Sequence, residues 1–566
     1  MADQLDAVVL GRLVAASAEA EPDRICLVFE NGELPEERLT RAEVAVQSNK
    51  LAHALHAAGL RKGDRIGVIL RNHPEFVYAL VACSKLGLVS VPVDPRSRGE
   101  KLRYFLTFAE CVALLTADYV VADESAADVF RSIDARAYVL STPEGRMEGL
   151  QPGREWQSLN EVLDGPERAD AGQQVDRLGD PFELSYTSGT TGDPKAIVLT
   201  YERMPLYLAI PTAFFGYQAD DVPYTGLSLT HGNALVATLL PALSGAVDHS
   251  VFSRRFTKTR LWDVCIRHGC TTWSNLGGIA SAIYGEPPSA RDRLHQVRLV
   301  VSAGMPRELW VPFEERFGAR VLEWYGTMEG GAFAYNPPGV GPVGSFGKPP
   351  GVLEMNIVDD DDQPVPPDTI GELVGRPIAN PAQLEYFKNT DASAHKTRGG
   401  WMHTGDMCWR DAEGWYYFAH RKEEGGIRRM GEFISEGFVR RIVLDHPDVL
   451  DAHVYGVPSQ TNAPGESDIA VAIVVSGPEA FDPTSLFEHC ARVLERSHIP
   501  DYIQVVDELP KTASEKVQTR FLAAALDPST PGVYLRGGFS APTPRPIHQG
   551  AQMRVSGLKT AQANQK

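Results

Sequence analysis

Between residues 40 and 116 helix-like and strand-like segments alternate, and this alternation limits the possible folds more than any other feature of the chain. Thr40-Arg41-Ala42-Glu43 forms a capping box, in which a hydroxyl and a carboxylate three residues apart each satisfy the other's backbone N–H. A helix opens there and runs to Leu55 or beyond, with Gly59 placed to stop it. An apolar strand, Arg65 to Leu70, comes next. The following helix, Pro74 to Leu86, carries proline in its first turn, where a backbone N–H is not needed. Val89 to Val93 reads as a strand, Glu100 to Phe108 as a helix and Val112 to Thr116 as a strand. Alternation on this length scale predicts a parallel sheet covered on both faces. The pattern recurs with strands at Val297 to Ser302 and Arg320 to Glu323, each followed by a glycine-containing turn. In open α/β sheets such turns, at the carboxyl ends of strands, are where ligands sit.

The length of 566 residues calls for more than one folded unit. From Val352 to Glu372 short strands and turns replace the alternation, pointing to a small β subdomain, with the acidic run Asp359 to Asp362 read as a solvated turn. The segment 421–431 is charged or glycine except at Ile427 and Met430, and reads as a hinge. Beyond it, Phe438 to Leu444 reads as a helix, Ala470 to Val475 as a strand and Pro483 to Arg496 as a helix, enough for a small α+β domain. The tail after about Thr530 is rich in Pro, Gly, Ser, Thr and Gln, a composition expected to be disordered. The expected class is therefore α/β: a large N-terminal domain (1–420) of parallel-sheet subdomains plus a small β subdomain, the hinge (421–431), a small mobile α+β C-terminal domain (432–530) and a tail (531–566).

Composition is that of a soluble globular protein, with 43% hydrophobic and 23% charged residues. A net charge of -18 disfavours nucleic acid and anionic membrane as partners, so an anionic ligand has to meet local positive charge. The seven cysteines are scattered, odd in number and without CxxC spacing, which argues against a disulfide framework or a zinc site. Met1-Ala2-Asp3-Gln4-Leu5-Asp6 carries acid where a secretory signal needs base, and no apolar run is long enough to span a bilayer. A cytoplasmic location is expected.

Chemistry concentrates in Tyr186-Thr187-Ser188-Gly189-Thr190-Thr191-Gly192-Asp193-Pro194-Lys195, which lies between two β-rich stretches, Phe182 to Thr187 and Ala196 to Thr200. Glycines at 189 and 192 let successive N–H groups converge on phosphate oxygens. Four hydroxyls between 187 and 191 add donors, and Lys195 supplies a compact positive charge. The spacing is not that of a Walker A loop. A second segment, Trp324-Tyr325-Gly326-Thr327-Met328-Glu329-Gly330, follows a strand end and can turn an aromatic ring and a carboxylate toward a nucleotide.

The phosphate-loop string resembles the signature of the adenylate-forming superfamily, which includes acyl-CoA ligases, adenylation domains of peptide synthetases and luciferases. Five motifs in family order extend the resemblance over about residues 10 to 525, closest to ligases of the carnitine and crotonobetaine type. The resemblance implies an enzyme that makes an acyl-adenylate from ATP and a carboxylic acid, with Mg2+, and passes the acyl group to coenzyme A. The alternatives are transfer to a partner protein, or a non-catalytic acyl- or nucleotide-binding relative. Carried over position by position, Thr187, Ser188, Gly189, Thr190, Thr191, Gly192 and Lys195 hold phosphates. Ser302, Ala303 and Gly304 border the adenine, Tyr325 stacks on it, and Gly326 and Thr327 line its turn. Glu329, with Thr187, holds the magnesium ion. Asp406 of His403-Thr404-Gly405-Asp406, together with Arg421, clasps the ribose. Lys516 of Leu509-Pro510-Lys511-Thr512-Ala513-Ser514-Glu515-Lys516 is the mobile catalytic lysine. For the acid, His231 in Leu229-Thr230-His231-Gly232-Asn233 sits beside the carboxylate, with Asn233, Trp273, Asn275, Leu276, Gly277, Gly278 and Gly304 as pocket walls. No acidic residue stands where peptide synthetases anchor an α-amino group, which favours a non-amino acid substrate.

Three departures accompany the resemblance. Met328 takes the place of the family threonine that contacts the α-phosphate, and a thioether cannot donate that hydrogen bond. Glu515 replaces a glycine before Lys516. The run Arg421-Lys422-Glu423-Glu424-Gly425-Gly426-Ile427-Arg428-Arg429-Met430-Gly431 carries one residue more than the family hinge, the segment that pivots the small domain between its adenylating and thioester-forming arrangements.

Overall fold

The computed structural model describes residues 2–143, 156–187, 194–421, 426–429, 432–459, 466–477, 481–510 and 517–536. Two large sheets dominate it. The first has seven strands in the order 156–158, 136–140, 111–117, 65–69, 89–92, 181–187, 195–200. Its pairs are parallel until the last, where Pro181–Thr187 and Lys195–Thr200 run antiparallel. The second has eight strands in the order 333–336, 320–326, 299–303, 272–276, 223–225, 250–253, 25–30, 37–40. It is parallel except at its two edges.

The helices obey the local signals. Arg41–Ala57 opens on the expected capping box, and Pro74–Leu86 ends on Gly87 in the left-handed conformation. Pro74–Leu86 is buried on nearly all sides because it lies between the sheets, where one continuous core joins Leu27, Phe29 and Val301 of the second sheet to Ile66, Val68 and Leu115 of the first. Each outer sheet face has its own core. Leu261–His268 and Arg307–Phe317 cover the second sheet, and Gly99–Phe108 and Glu124–Ser132 cover the first.

A four-stranded antiparallel sheet, 353–358, 371–377, 402–410, 416–421, forms the expected β subdomain. Within its acidic run Asp359 accepts from the N–H groups of Asp361 (3.0 Å) and Gln363 (2.9 Å), a turn held by its own side chain. Asp362 in that turn is ion-paired with Arg398 at 2.9 Å, so the run is tied to the fold at one end.

The C-terminal unit has a mixed sheet, 449–458, 467–475, 502–505, 533–535, flanked by Glu436–Leu444 and Pro483–Val493. Its last strand corrects the expectation of disorder from residue 531. Val533–Leu535 pairs with Tyr502–Val505, and Arg536 is ion-paired with Asp501 at 2.8 Å. Composition pointed to disorder there, but this short segment supplies the missing edge of a sheet, a non-local contact that composition does not register. Residues 537–566 of the expected tail lie outside the described residues. The hinge segment also divides. Arg421 ends a strand of the β subdomain, whereas Gly426–Arg429 pairs with Glu432–Ser435 in a hairpin whose Ile427 and Ile434 enter the C-terminal core. Residues 422–425, 430 and 431, including the extra hinge residue, lie outside the described residues.

Two π-helical turns, Ile210–Phe214 and Leu235–Leu239, were not legible from hydrophobic periodicity. Proline at 211 and at 241 removes a backbone donor and crowds the carbonyl four residues earlier, which a wider turn accommodates.

Glu183, on the strand leading into 188–193, is buried, and burial pushes its carboxyl from 4.5 up to about 8. A folded-state value above the unfolded one means that Glu183 destabilises the fold increasingly as pH rises from about 4.5 to about 8, by an amount on the order of a few kcal/mol. Glu183→Gln is therefore expected to raise Tm by several degrees at pH 8.5 and much less at pH 5. Thermal melts at both values check this, and equal shifts at the two would sink it.

Candidate active site

The carboxyl ends of three neighbouring strands, Thr272–Leu276, Leu299–Ala303 and Arg320–Gly326, form one rim of a cleft. Leu276 stands opposite Ala303 in register, and the chain then passes so close that a Cβ on Gly277 would lie 1.7 Å from the Gly304 carbonyl oxygen. Only glycine at 277 permits this approach, and it joins the expected acid wall (Asn275, Gly277) to the adenine edge (Ser302, Ala303, Gly304). The Gly304 turn, at φ +90°, is held from below by Glu323, whose carboxylate accepts from the N–H groups of Gly304 (2.5 Å) and Met305 (3.1 Å). Burial pushes Glu323 up to about 8 against the pull of those two N–H groups and of Arg428. Glu323 escaped the sequence reading because its function is to hold another turn.

Tyr325, one strand over, donates its hydroxyl to Asp406 Oδ2 at 2.5 Å, and Phe346 covers its ring with centroids 4.7 Å apart. The expected base-stacking and ribose-binding residues thus adjoin. Asp406 is buried in a strand that follows Gly405 (φ +78°), and the Thr404 hydroxyl accepts its N–H at 3.1 Å. Arg421 is the register partner of Asp406 on the neighbouring strand.

The turn after Tyr325 is fixed from both sides. Arg203 donates to the carbonyls of Met328 (2.6 Å) and Glu329 (2.8 Å), and Tyr386 donates to Glu329 Oε1 at 3.1 Å. Burial and the neighbouring Glu329 hold the Tyr386 hydroxyl protonated, well above its usual range. Tyr386 reaches this place because its segment adds to the edge of Lys195–Thr200: Phe387 N–H donates to Ala196 O at 2.8 Å, and Val198 N–H to Glu385 O at 2.9 Å. Lys195 Nζ stands 5.5 Å from the Tyr386 ring. One aromatic residue therefore links the lysine of the phosphate loop to the carboxylate expected to hold metal. No local pattern announces Tyr386 or Arg203, since both act through contacts distant in sequence.

Thr327 uses its one hydroxyl proton within this turn, donating to Gly330 O at 3.2 Å. The Met328 side chain turns instead toward the acid segment, with Sδ 2.4 Å from where a Cβ on Gly232 would be. The position that bears a phosphate-contacting threonine in the family here faces the segment expected to bind the acid.

His231 is exposed to solvent, yet enough protein surrounds it that desolvation lowers its pKa, as expected for a ring on the wall of a cleft. Its Nδ1 accepts the Asn233 N–H at 3.1 Å, so the neutral ring carries its proton on Nε2. Asn233 and Asn275 are buried, and Asn233 Nδ2 reaches the Asn275 carbonyl at 3.4 Å. The whole segment is pinned by Asn72, also missed from sequence, which donates to Leu227 O (2.8 Å) and accepts from Leu229 N–H (2.8 Å). Trp273 is a correction: it faces the outer helices, edge-on to Trp262 with centroids 5.7 Å apart, and is no pocket wall. Strand alternation makes the reason plain, because Trp273 shares the outer face with Val300 and Val321. Ser188, Gly189, Thr190, Thr191, Gly192, Lys516 and the side chains of Thr187 and Arg421 lie outside the described residues.

Comparison with known proteins identifies the family. The AMP-binding enzyme family model matches residues 14–379, and its C-terminal domain model matches 441–516. The chain belongs to the AMP-binding enzyme family. A medium/long-chain-fatty-acid–CoA ligase of Mycobacterium marinum is 30% identical over 81% of this chain and 86% of its own length. A crotonobetaine/carnitine–CoA ligase of Salmonella paratyphi A is 27% identical over 88% of this chain and 96% of its own. Among solved structures, o-succinylbenzoate-CoA synthetase of Bacillus subtilis, bound to a product analogue, shares the fold with a TM-score of 0.73, at 23% identity over 90% of this chain and 98% of that one. Among the described residues no helix is long and apolar enough to cross a membrane.

Tyr325→Phe removes a hydrogen bond to a carboxylate, an interaction of about 1.5–3 kcal/mol. KM for ATP should rise about tenfold or more with KM for the acid unchanged, and a parallel change in both would contradict the assignment. Met328→Thr opens space beside Gly232. Pyrophosphate exchange measured over acids of increasing bulk should shift toward larger acids, and an unchanged profile would show that Met328 does not bound the pocket.

Proposed function

We propose that this AMP-binding enzyme is an acyl-CoA ligase that performs both half-reactions in one cleft. In the first, a carboxylate oxygen of the acid bonds to the α-phosphorus of ATP, the bond to the β-phosphate oxygen breaks, and pyrophosphate leaves. In the second, the coenzyme A sulfur bonds to the acyl carbon, AMP departs with the electron pair of the broken acyl–oxygen bond, and the thiol proton passes to solvent. What supports this most is the meeting, around one cleft, of Tyr325 bonded to Asp406, Glu329 bonded to Tyr386, and Lys195 beside that same tyrosine.

Each group has a task set by its surroundings. Asp406, with one oxygen on Tyr325, accepts from the ribose hydroxyls. Neutral His231 offers Nε2–H to the acid carboxylate and orients it for attack. Lys195 and the loop at 187–192 bind phosphates, and Lys516 brings a positive charge to the oxygens of the forming anhydride. Glu329 fits a magnesium site, because Mg2+ is held by one or two carboxylates plus substrate phosphates, and the Tyr386 bond to Oε1 leaves the other oxygen for it. When bound, the ion offsets the charge that develops as pyrophosphate leaves. With Thr327 bonded to Gly330 and Met328 turned to the acid, the α-phosphate loses one family donor, which slows adenylation without abolishing it.

ATP–pyrophosphate exchange over a panel of aryl, alkyl and polycyclic acids, followed by coenzyme A consumption with the active acids, tests the reading. Exchange without any thioester would favour an adenylate-forming enzyme that hands its acyl group elsewhere. Lys516→Ala should abolish exchange and leave thioester formation from supplied acyl-adenylate largely intact. Exchange near the parent rate would mean that another residue carries that charge.

A further inference from the structure

The C-terminal sheet has two chemically distinct faces. Ile469, Val471 and Ile473 point to the face that holds the hairpin residues Ile427 and Ile434, while Ala470, Ala472 and Tyr502 point to the face that holds Leu509 and Leu522. The hairpin face is the one docked on the cleft: a Cβ on Gly304 would lie 3.2 Å from an Arg428 guanidinium nitrogen. Leu509 and Val517, which bracket the segment carrying Lys516, belong to the opposite face. Both faces cannot front the same cleft at once, so in this arrangement the face that carries Leu509 and Val517 is turned away from Gly304.

One polar contact fixes the docked arrangement. Glu495 of the C-terminal unit is buried, and its Oε1 accepts from Lys101 Nζ at 2.7 Å and from the Ser97 hydroxyl at 3.0 Å. Ser97 is buried, and Lys101 lies on the helix Gly99–Phe108 of the first sheet's outer layer. Burial opposes the charge on Glu495, but Lys101 and His498 hold its carboxyl below the usual range, so the contact is a true ion pair. Backbones meet beside it, with a Cβ on Gly99 3.5 Å from the Val493 carbonyl oxygen. A buried carboxylate bonded to two residues of the other unit is satisfied only while the units stay in this relation.

We propose that Glu495, through Lys101 and Ser97, is a positioning residue for thioester formation: it holds the C-terminal sheet with Arg428 at Gly304, and the contact is released while the adenylate forms. The inference rests on the ligase reading above. It makes Glu495 and Lys101 specific to the second half-reaction, in which the acyl–sulfur bond forms and AMP leaves, although neither touches substrate.

The test uses the full-length enzyme with an acid active in pyrophosphate exchange. Glu495→Ala and Lys101→Ala should each slow thioester formation from supplied acyl-adenylate tenfold or more and leave exchange within twofold of the parent. The reversed pair Lys101→Glu with Glu495→Lys should recover most of the loss. Equal losses in both half-reactions, undiminished thioester formation, or a reversed pair as slow as the single variants would overturn the proposal. Hydrogen exchange of the peptide spanning 95–101 should quicken in Glu495→Ala without substrates, and unchanged protection would also overturn it. If the parent enzyme makes adenylate and no thioester, the ligase reading falls, while the exchange measurement still decides whether Glu495 holds the units together.

Discussion

Helix Pro74–Leu86 lies between the two large sheets with every side chain except Glu75 buried, and the geometry of the cleft follows from it. Two twisted parallel sheets can share a helical layer only in a narrow set of relative orientations, because ridges on the helix have to fit side chains from both. Asn72, just before that helix, turns the packing into positioning. Its amide donates to Leu227 O and Ser253 O and accepts from Leu229 N–H, so the turn of one sheet is bolted to two segments of the other. All three partners are backbone groups in a buried region, and each unmade bond there costs about 1–3 kcal/mol. The segment at His231, proposed to bind the acid, therefore inherits its place from the core.

A chain of net charge -18 has to build its anion site locally. Lys195 begins the strand after the phosphate loop, Arg203 closes the turn that carries Glu329, and Arg428 stands over Gly304. Lys195 and Arg203 come from one strand of the first sheet and the turn after it, and Arg428 from the C-terminal hairpin; each is directed by contacts that also fix a neighbouring carboxylate or turn. The arrangement gathers positive charge where phosphate is proposed to bind, while the net charge of -18 disfavours nonspecific polyanions.

Much of this was legible because it is local. The Thr40 capping box, the proline at the start of the 74–86 helix and the strand–turn–strand frame of the phosphate loop are short-range choices that tertiary structure left intact. The candidate site residues legible in advance, Tyr325, Glu329, Asp406 and His231, sit in contiguous motifs. Those that were not, Tyr386, Arg203, Glu323 and Asn72, act by reaching across sequence separations that no pattern encodes. Tyr386 is telling: its segment lies outside the main strands, and edge pairing with Lys195–Thr200 brings its hydroxyl to Glu329. Trp273 failed for a different reason: it lies within the strand, packed against the outer helices, and not at the strand's carboxyl end.

The way the units join explains how one cleft can serve two reactions. The β subdomain is fused to the second sheet by a shared apolar core, in which Ala332, Ala334 and Phe346 pack with Met355, Leu373 and Tyr416. Its Asp406 is thereby kept beside Tyr325 throughout. The C-terminal unit has two apolar cores of its own, and among the described residues neither includes a side chain from before residue 427. Among the described residues its contacts with the rest include the polar ones of Glu495 and Arg428 and the approach of Val493 to Gly99. An interface without a hydrophobic core can open without exposing much apolar surface, so relative motion of the unit is the physical default. The groups proposed to bind nucleotide thus stand on the two large sheets and the β subdomain, and those proposed to distinguish one half-reaction from the other stand on the C-terminal unit.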